Sequence, residues 1–577
     1  MCGIVAVVGQ RAEDKVLSAM LDAVEARGPD GRESVSGDWF SVGFCRLAIY
    51  ALEAGRQPVR SPDGAVTLAF NGEIYNFEAL AERLGIRAAS EAELLLQGYL
   101  AHGSSFVSQL DGDFAVVIVD EKRRVCELWR DRFGVKPLYY TMLPGRRLLI
   151  SSEIRGLLAH PDFVLGWDEL ALAERYVLTF WSTERTTFKG VRQILPGHRT
   201  VIGPFDGSGA EGGALHVEEI PYTPERQISV VGECEVVKAC TDTLQASIAK
   251  RVQHTQVSPV VVALSGGIDS SLLAALARRA SSELAAITIC GGPDELDARH
   301  STLLASKLGI EHHLYTVSTE RLLEVIPAVV LAQPANGAFL AWFLAEAMQR
   351  LTPSAKVLLC GEGADEMFHG YRVHSDPAGF KAQTLDALSA VSDLEGGSAL
   401  LRRVRGWEQM EPAAYYEDVT ALFLSAQLVN RHLVPFDHGT MARRVECRVP
   451  FLGLEMLDLH DRTPRRALGP NKPLLRRALN QLPELDASTR DALLTRQRTA
   501  GYTATEAARA GLRRLLMDRG LTRSRLMASK IMRFSRNPEE LFWLGAAHVV
   551  YFERRGKIDG MDFETLLEEA FNASPEW

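Results

Sequence analysis

Short apolar runs broken by turn residues fill the first two hundred positions. GIVAVVG, AVTLAFNG, FAVVIVD and LLISSEI are rich in β-branched and aromatic residues, and each predicts a strand. Helical periodicity is scarcer there, with VLSAMLDAVEA and EAELLLQGYLAHG the best candidates. The mixture predicts an α+β region of stacked antiparallel sheets with helices outside. Residues 203–225, GPFDGSGAEGGALHVEEIPYTPE, are rich in Gly and Pro and read as a linker or long surface loop. Beyond them the pattern changes. Val237, Cys240, Leu244, Ile248 and Val252 recur at helical spacing, and the apolar PVVVAL, the turn SGGIDSS, the helical LLAALARRA and the apolar AAITIC follow. Strand and helix alternating in this way predict a parallel α/β sheet, and from about residue 380 onward mostly helices are expected.

Length and charge narrow the picture. A chain of 577 residues is too long for one ordinary core, so two or more domains are expected. The net charge of −9 gives no bulk reason to expect a polyanionic partner. The late arginine clusters (Arg402, Arg403 and Arg405; Arg513 and Arg514; Arg554 and Arg555) read as solvated helix faces, so no nucleic-acid partner is expected. No apolar run approaches the roughly 20 residues of a membrane helix, and the N-terminus lacks the basic start and apolar core of a signal peptide. Eight cysteines are scattered without a CxxC pair, which predicts reduced thiols and a cytoplasmic location.

Two stretches carry candidate chemistry. LSGGIDSS (264–271) joins an apolar strand to an amphipathic helix. Consecutive glycines let backbone approach a phosphate, and the helix start supplies amide hydrogens and a positive dipole end. Asp269 beside a phosphate makes sense if a divalent cation bridges the two. GxxxxGK[ST] is absent, so the loop is not a Walker A motif, and it resembles the pyrophosphate loop of ATP pyrophosphatases. The other stretch is the start, MCGIVAVVG, where Cys2 is either an unremarkable residue before a buried strand or a nucleophile exposed by loss of Met1.

Ordered motifs run along most of the chain: MCGIVAVVG, RGPDG (27–31), CRLAI (45–49), QPV (57–59), NGEIYN (71–76), LDGDFA (110–115), RDRFGVKPLYY (130–140), SSEIRGLL (151–158) and LPGH (195–198), then LSGGIDSS, GEGADE (361–366), RVPFL (448–452) and NKPLLRRAL (471–479). In this order they resemble the glutamine-hydrolysing asparagine synthetase family. The resemblance implies a class II glutamine amidotransferase domain with an α+β N-terminal-nucleophile (Ntn) hydrolase sandwich over 1–205, a linker over 206–232, and an α/β ATP-pyrophosphatase domain with a parallel sheet over 233–577. It implies ATP and Mg²⁺ as cofactors, L-glutamine and a carboxylate acceptor as substrates, and a homodimer.

The resemblance also implies residue roles. Cys2, freed of Met1, would attack the glutamine amide with its own α-amine as proton acceptor; the two groups titrate close enough to exchange a proton near neutral pH. Asn71 and the amide of Gly72 would form the oxyanion hole. Arg46 and Glu73 would hold the glutamine carboxylate and ammonium, with Glu91 standing where the family usually has Asp. Leu264, Ser265, Gly266, Gly267, Asp269 and Ser270 would bind the ATP phosphates, and Cys290, Cys360 and Gly361 would line adenine and ribose. Glu362 would act as general base, Asp269 and Asp365 would hold Mg²⁺, and Lys472 would neutralise developing charge. NGEIYN by itself reads only as a turn between strands.

Several positions depart from the family pattern: Cys360 for Ser, His369 for Gly, and Gly453 for a carboxylate. In AQPANGAFLAWF (332–343) asparagine synthetases carry hydroxyl or charged residues facing aspartate. This apolar stretch either suits a larger, less polar acceptor or is plain helix core. The expected activity is that of a carbon–nitrogen ligase acting on a non-aspartate carboxylic acid of a secondary-metabolite pathway, with aspartate as the alternative. A lactam-forming or non-catalytic relative would be expected to have lost Cys2, Glu362 or Lys472, and all three are present.

Overall fold

The structure is a computed structural model of the whole chain, and it describes residues 2–181, 184–205, 215–224, 235–333, 338–389, 399–495, 512–516 and 538–572. Strand Gly3–Val8 explains why its sequence is continuously apolar rather than alternating. Ile4, Ala6 and Val8 face a core shared with a second sheet, while Val5 and Val7 face helices and the C-terminal half. A strand buried on both faces needs no polar positions.

This strand lies inside an antiparallel sheet ordered Val191–Gln193, Tyr139–Leu143, Arg147–Ser151, Gly3–Val8, Phe40–Arg46, Gly31–Ser36. The second sheet is ordered His216–Pro221, His198–Gly203, Val125–Arg130, Gly112–Asp120, Val66–Ile74, Val59–Arg60. Ala69, Ala115, Val117 and Leu128 of the second sheet pack on Ile4, Phe40 and Phe44 of the first. Helices Phe77–Leu84 and Glu91–His102 cover the outer face of the second sheet, and Asp14–Val24 covers the first. The result is the expected stacked, antiparallel sandwich with helices outside.

The C-terminal half is built on a five-stranded sheet, parallel throughout, ordered Glu311–Thr316, Leu284–Cys290, Val260–Ala263, Val357–Leu359, Glu446–Arg448. Chain order runs outward in one direction from Val260–Ala263 and in the other from Val357–Leu359. The carboxyl ends of these two strands therefore flank the crevice where open α/β sheets bind ligands. Among the described residues no helix is long and apolar enough to cross a membrane.

Three local expectations are corrected, and a fourth gains a detail. NGEIYN turns only at its end: Asn71, Gly72, Glu73 and Ile74 continue the strand Val66–Ile74 and pair with Ala115, Phe114, Asp113 and Gly112, and Tyr75 and Asn76 turn into the next helix. Within the Gly- and Pro-rich stretch, His216–Pro221 is an edge strand on His198–Gly203; residues 206–214 and 225–234 lie outside the described residues. In LLISSEI the strand ends at Ser151 and a helix begins at Ile154. The helical C-terminal region also contributes the strand Glu446–Arg448. As for AQPANGAFLAWF, residues 334–337 lie outside the described residues, and Phe339, Trp342 and Phe343 on helix Phe339–Leu351 are core.

Candidate functional site

Two centres emerge, one at each end of the motif series. At the first, strand Gly3–Val8 delivers Cys2 to the end of the sandwich. The Cys2 backbone nitrogen donates to Asn71 Oδ1 at 2.7 Å, and Arg27 Nε donates to the Cys2 carbonyl at 3.0 Å. Arg27 is itself buried and paired with Glu153 at 2.9 Å and with Asp437 of the C-terminal half at 2.7 Å. The Asn71 Nδ2 group is buried with no hydrogen-bond partner, so a donor stands beside Cys2 with nothing to donate to. That is the state expected of a preorganised oxyanion donor. Gly72 has φ +143°, and a Cβ there would lie 2.0 Å from the Asp113 carbonyl, so the strand requires glycine here. Burial pushes the Cys2 thiol up, so it rests protonated and needs a base.

Cys2, Arg46, Tyr50, Gly72, Glu73 and Glu91 are among the residues around one small cavity of about 30 Å³. The structure thus brings together every residue that the resemblance assigned to glutamine. The guanidinium of Arg46 is oriented by the carbonyls of Leu52 at 2.8 Å and Ala51 at 2.6 Å. Glu91 Oε1 accepts from the Ile74 amide at 2.6 Å. Burial, and then the charge of Glu73, push the Glu91 carboxyl up to about 7.

His254 was not singled out by the sequence. Its Nε2 lies 3.0 Å from Glu91 Oε1 and 3.1 Å from Glu73 Oε2. Against the burial that alone would lower it, these carboxylates raise its imidazole to about 9. Arg448 adds a second cation, with Nη2 3.2 Å from Glu73 Oε1. Arg27 and Arg448 stand in the motifs RGPDG and RVPFL, so their place in the chain was a usable signal; His254 had none.

The second centre sits at the sheet crevice. Gly266 has φ +68°, and an added Cβ would lie 2.6 Å from His300 Cβ and 2.9 Å from the Ser301 nitrogen, so the loop 265–267 is a tight backbone cradle. It opens helix Ile268–Ala280, whose N-cap is Gly267. Ser265 and Ser270 hydroxyls lie 3.0 Å apart. Gly361, at the end of strand Val357–Leu359, faces Asp269: a Cβ on it would be 3.4 Å from Asp269 Cβ. Lys472 Nζ lies between two carboxylates, 2.5 Å from Asp269 Oδ2 and 2.7 Å from Asp365 Oδ1. Two carboxylates so close to one point demand a cation. A glycine cradle at a helix start with two convergent carboxylates fits a nucleotide phosphate chain with a divalent metal ion. Glu362 Oε2 lies 3.1 Å from His432 Nδ1, and Glu362 and Glu366 hold that imidazole above its usual value against burial.

The remaining assigned residues are placed less pointedly. Cys290 ends its strand fully buried, and Cys360 Sγ lies 2.8 Å from Cys447 Sγ. The seven described cysteines are free and buried. At Gly453, where the family has a carboxylate, the neighbouring Glu455 pairs with Lys250 at 3.1 Å. Met1 lies outside the described residues.

The sequence model of a glutamine amidotransferase domain matches residues 1–206, and that of asparagine synthase matches residues 239–540. A glutamine-hydrolyzing asparagine synthetase of Bacillus subtilis (strain 168) is 28% identical over 550 residues, covering 83% of this chain and 84% of its own. Amidase chyE of Penicillium rubens is 31% identical over 386 residues, 62% of this chain and 55% of its own. Among solved structures, the glutamine phosphoribosylpyrophosphate amidotransferase of B. subtilis aligns with 56% of this chain and 92% of its own, at 15% identity and a TM-score of 0.31. With the asparagine synthase match spanning more than half of the residues, and covering the half that holds Asp269, Asp365 and Lys472, this chain belongs to the asparagine synthase family.

Proposed function

We propose that the chain is an ATP- and glutamine-dependent carbon–nitrogen ligase that activates a carboxylate with ATP and converts it to an amide. The ammonia is released from glutamine at Cys2. The observation that carries this reading is the coexistence of two prepared centres: Cys2 beside the unpartnered Asn71 Nδ2, and Lys472 between Asp269 and Asp365 beneath a glycine cradle.

At the first centre the Cys2 thiol attacks the donor amide, and the nitrogen held by Asn71 Oδ1, an α-amine once Met1 is removed, takes its proton. Asn71 Nδ2 and the Gly72 amide meet the oxyanion, while Arg46, Glu73 and Glu91 hold the donor's charged groups. At the second centre Leu264, Ser265, Gly266, Gly267 and Ser270 hold the triphosphate, with Cys290, Cys360 and Gly361 toward the nucleoside. Asp269 and Asp365 would hold Mg²⁺, which supplies neutralisation of pyrophosphate charge. Glu362, oriented by His432, accepts the proton of the attacking ammonia, and Lys472 balances charge at the acyl centre.

The acceptor is proposed to be a carboxylic acid other than aspartate. A cavity of about 560 Å³ lined by Arg132, His369, Tyr416, Leu457 and His460 supports this. It falls within the roughly 300–1,000 Å³ of pockets that enclose larger organic ligands. Its His369 precedes Gly370, which packs against Asp365 and Lys472. A second reading, aspartate as acceptor, is favoured by the match of the B. subtilis asparagine synthetase along 83% of the chain. ATP–pyrophosphate exchange across a panel of carboxylic acids tests both. Exchange on another acid and none on aspartate supports the first reading; exchange on aspartate alone overturns it in favour of the second.

A further inference from the structure

The two carboxylates assigned to the donor's ammonium already stand against cations, Glu91 through a hydrogen bond and Glu73 through ion-pair contact alone. His254 Nε2 sits 3.1 Å from Glu73 and 3.0 Å from Glu91, and Arg448 takes the other Glu73 oxygen at 3.2 Å. The imidazole is stacked on Tyr50, ring centroids 4.1 Å apart and 22° from parallel. Its backbone is anchored as well. The His254 carbonyl accepts from Arg448 Nη1 at 2.8 Å, the Gln256 amide donates to the Ile49 carbonyl at 2.9 Å, and Gln256 Oε1 accepts from the Leu52 amide at 3.2 Å.

What remains beside Cys2 is about 30 Å³. That is room for a water or an ammonia molecule, not for a five-carbon amino acid. The contacts that hold the imidazole are buried ones: Arg448, which stands against Glu73, is fixed in turn by Glu446 at 2.6 Å.

We propose that His254 is a specificity-determining residue of the donor site. Its imidazole occupies the place of the donor's α-ammonium, and an amino-acid donor binds only when residues 254–256 part from the loop 49–52. The inference rests on reading this cavity as the glutamine site. Residue 254 ends helix Val236–Gln253, which leads directly into strand Val260–Ala263 and its phosphate cradle. Donor binding is therefore tied to the position of the nucleotide-binding half. A closed latch weakens apparent affinity by the fraction of molecules that are open, so the effect falls on KM more than on kcat.

The test is glutamate release from glutamine by the full-length chain, for wild type, His254→Ala and His254→Lys. Alkylation of Cys2 by iodoacetamide, which has no ammonium, reports that the cysteine is reachable. The expected result is a KM for glutamine at least tenfold lower in His254→Ala, with His254→Lys, a permanent cation, remaining near wild type. Should His254→Ala fail to fold, His254→Gln carries the same expectation. A KM unchanged or raised in the neutral variant, with the wild type hydrolysing glutamine, overturns the latch and leaves the donor site standing. Absence of glutamate release from every protein, with Cys2 still alkylated, overturns the donor site and the latch together.

Discussion

The two centres solve the same electrostatic problem with different cations. At the nucleotide crevice, Asp269 and Asp365 share Lys472, which belongs to the same half of the chain. At the donor cavity, Glu73 and Glu91 share His254, which belongs to the other half. The carboxylates hold the Lys472 ammonium above its usual value against burial, so it remains charged throughout the working range. The imidazole, raised to about 9, still titrates within reach of experiment. A fixed cation suits a place where negative charge must always be balanced. A removable one suits a place where a substrate's own cation must enter.

If the centres are chemically separate, the largest effects should be selective. Cys2→Ala should reduce glutamate release to background, a loss on the order of 10⁶-fold for a missing nucleophile, while pyrophosphate exchange on the accepted acid persists. Lys472→Met should do the reverse, lowering exchange by about 10²–10³-fold and sparing glutamate release. Parallel loss of both activities in either variant would break the comparison. Asn71→Ala comes next, with kcat for glutamate release expected to fall about 10²–10³-fold, the usual effect of removing one oxyanion donor.

Smaller effects concern stability. Replacing Arg27 with Met leaves Asp437 buried without its cation, while Glu153 keeps Arg155, and urea titration should show a loss of about 3–5 kcal/mol. The smallest sharpens the difference between the cations. His254 has a folded pKa raised above that of the free imidazole, so its contribution is complete below about 6.5 and fades as pH rises through about 9. Thermal unfolding of the wild type should therefore decline between pH 7 and 10 more than that of His254→Gln. Parallel pH curves for the two proteins would show that the pair contributes nothing.

Much of this was legible from pattern. Runs such as GIVAVVG and AAITIC became buried strands because continuous apolar sequence admits few other fates. Cys2, the glycine loop 265–267 and Lys472 were legible as candidates because each lies in a motif. The failures share a cause. Asn71 and Glu73 look like turn residues, yet they lie in a strand because Ala115 and Asp113 pair with them while their side chains serve the cavity. The edge strand His216–Pro221 follows a glycine-rich stretch and is stabilised by a ladder to His198–Gly203 rather than by its own composition. His254 acquires its role from Glu91, 163 residues away, a relation no local pattern encodes.

Arg27 ties these observations to how the chain came to be organised. One buried guanidinium grips the carbonyl of Cys2 and, at the same time, a carboxylate 410 residues further along. Cutting the chain between its halves would thus strand a charge at the very residue that holds Cys2 in place. The donor half is therefore a poor candidate for transplantation. Grafted onto another synthetase it would need a new acid opposite Arg27, and exchange of modules among relatives is expected to carry Asp437 along with the cysteine it steadies.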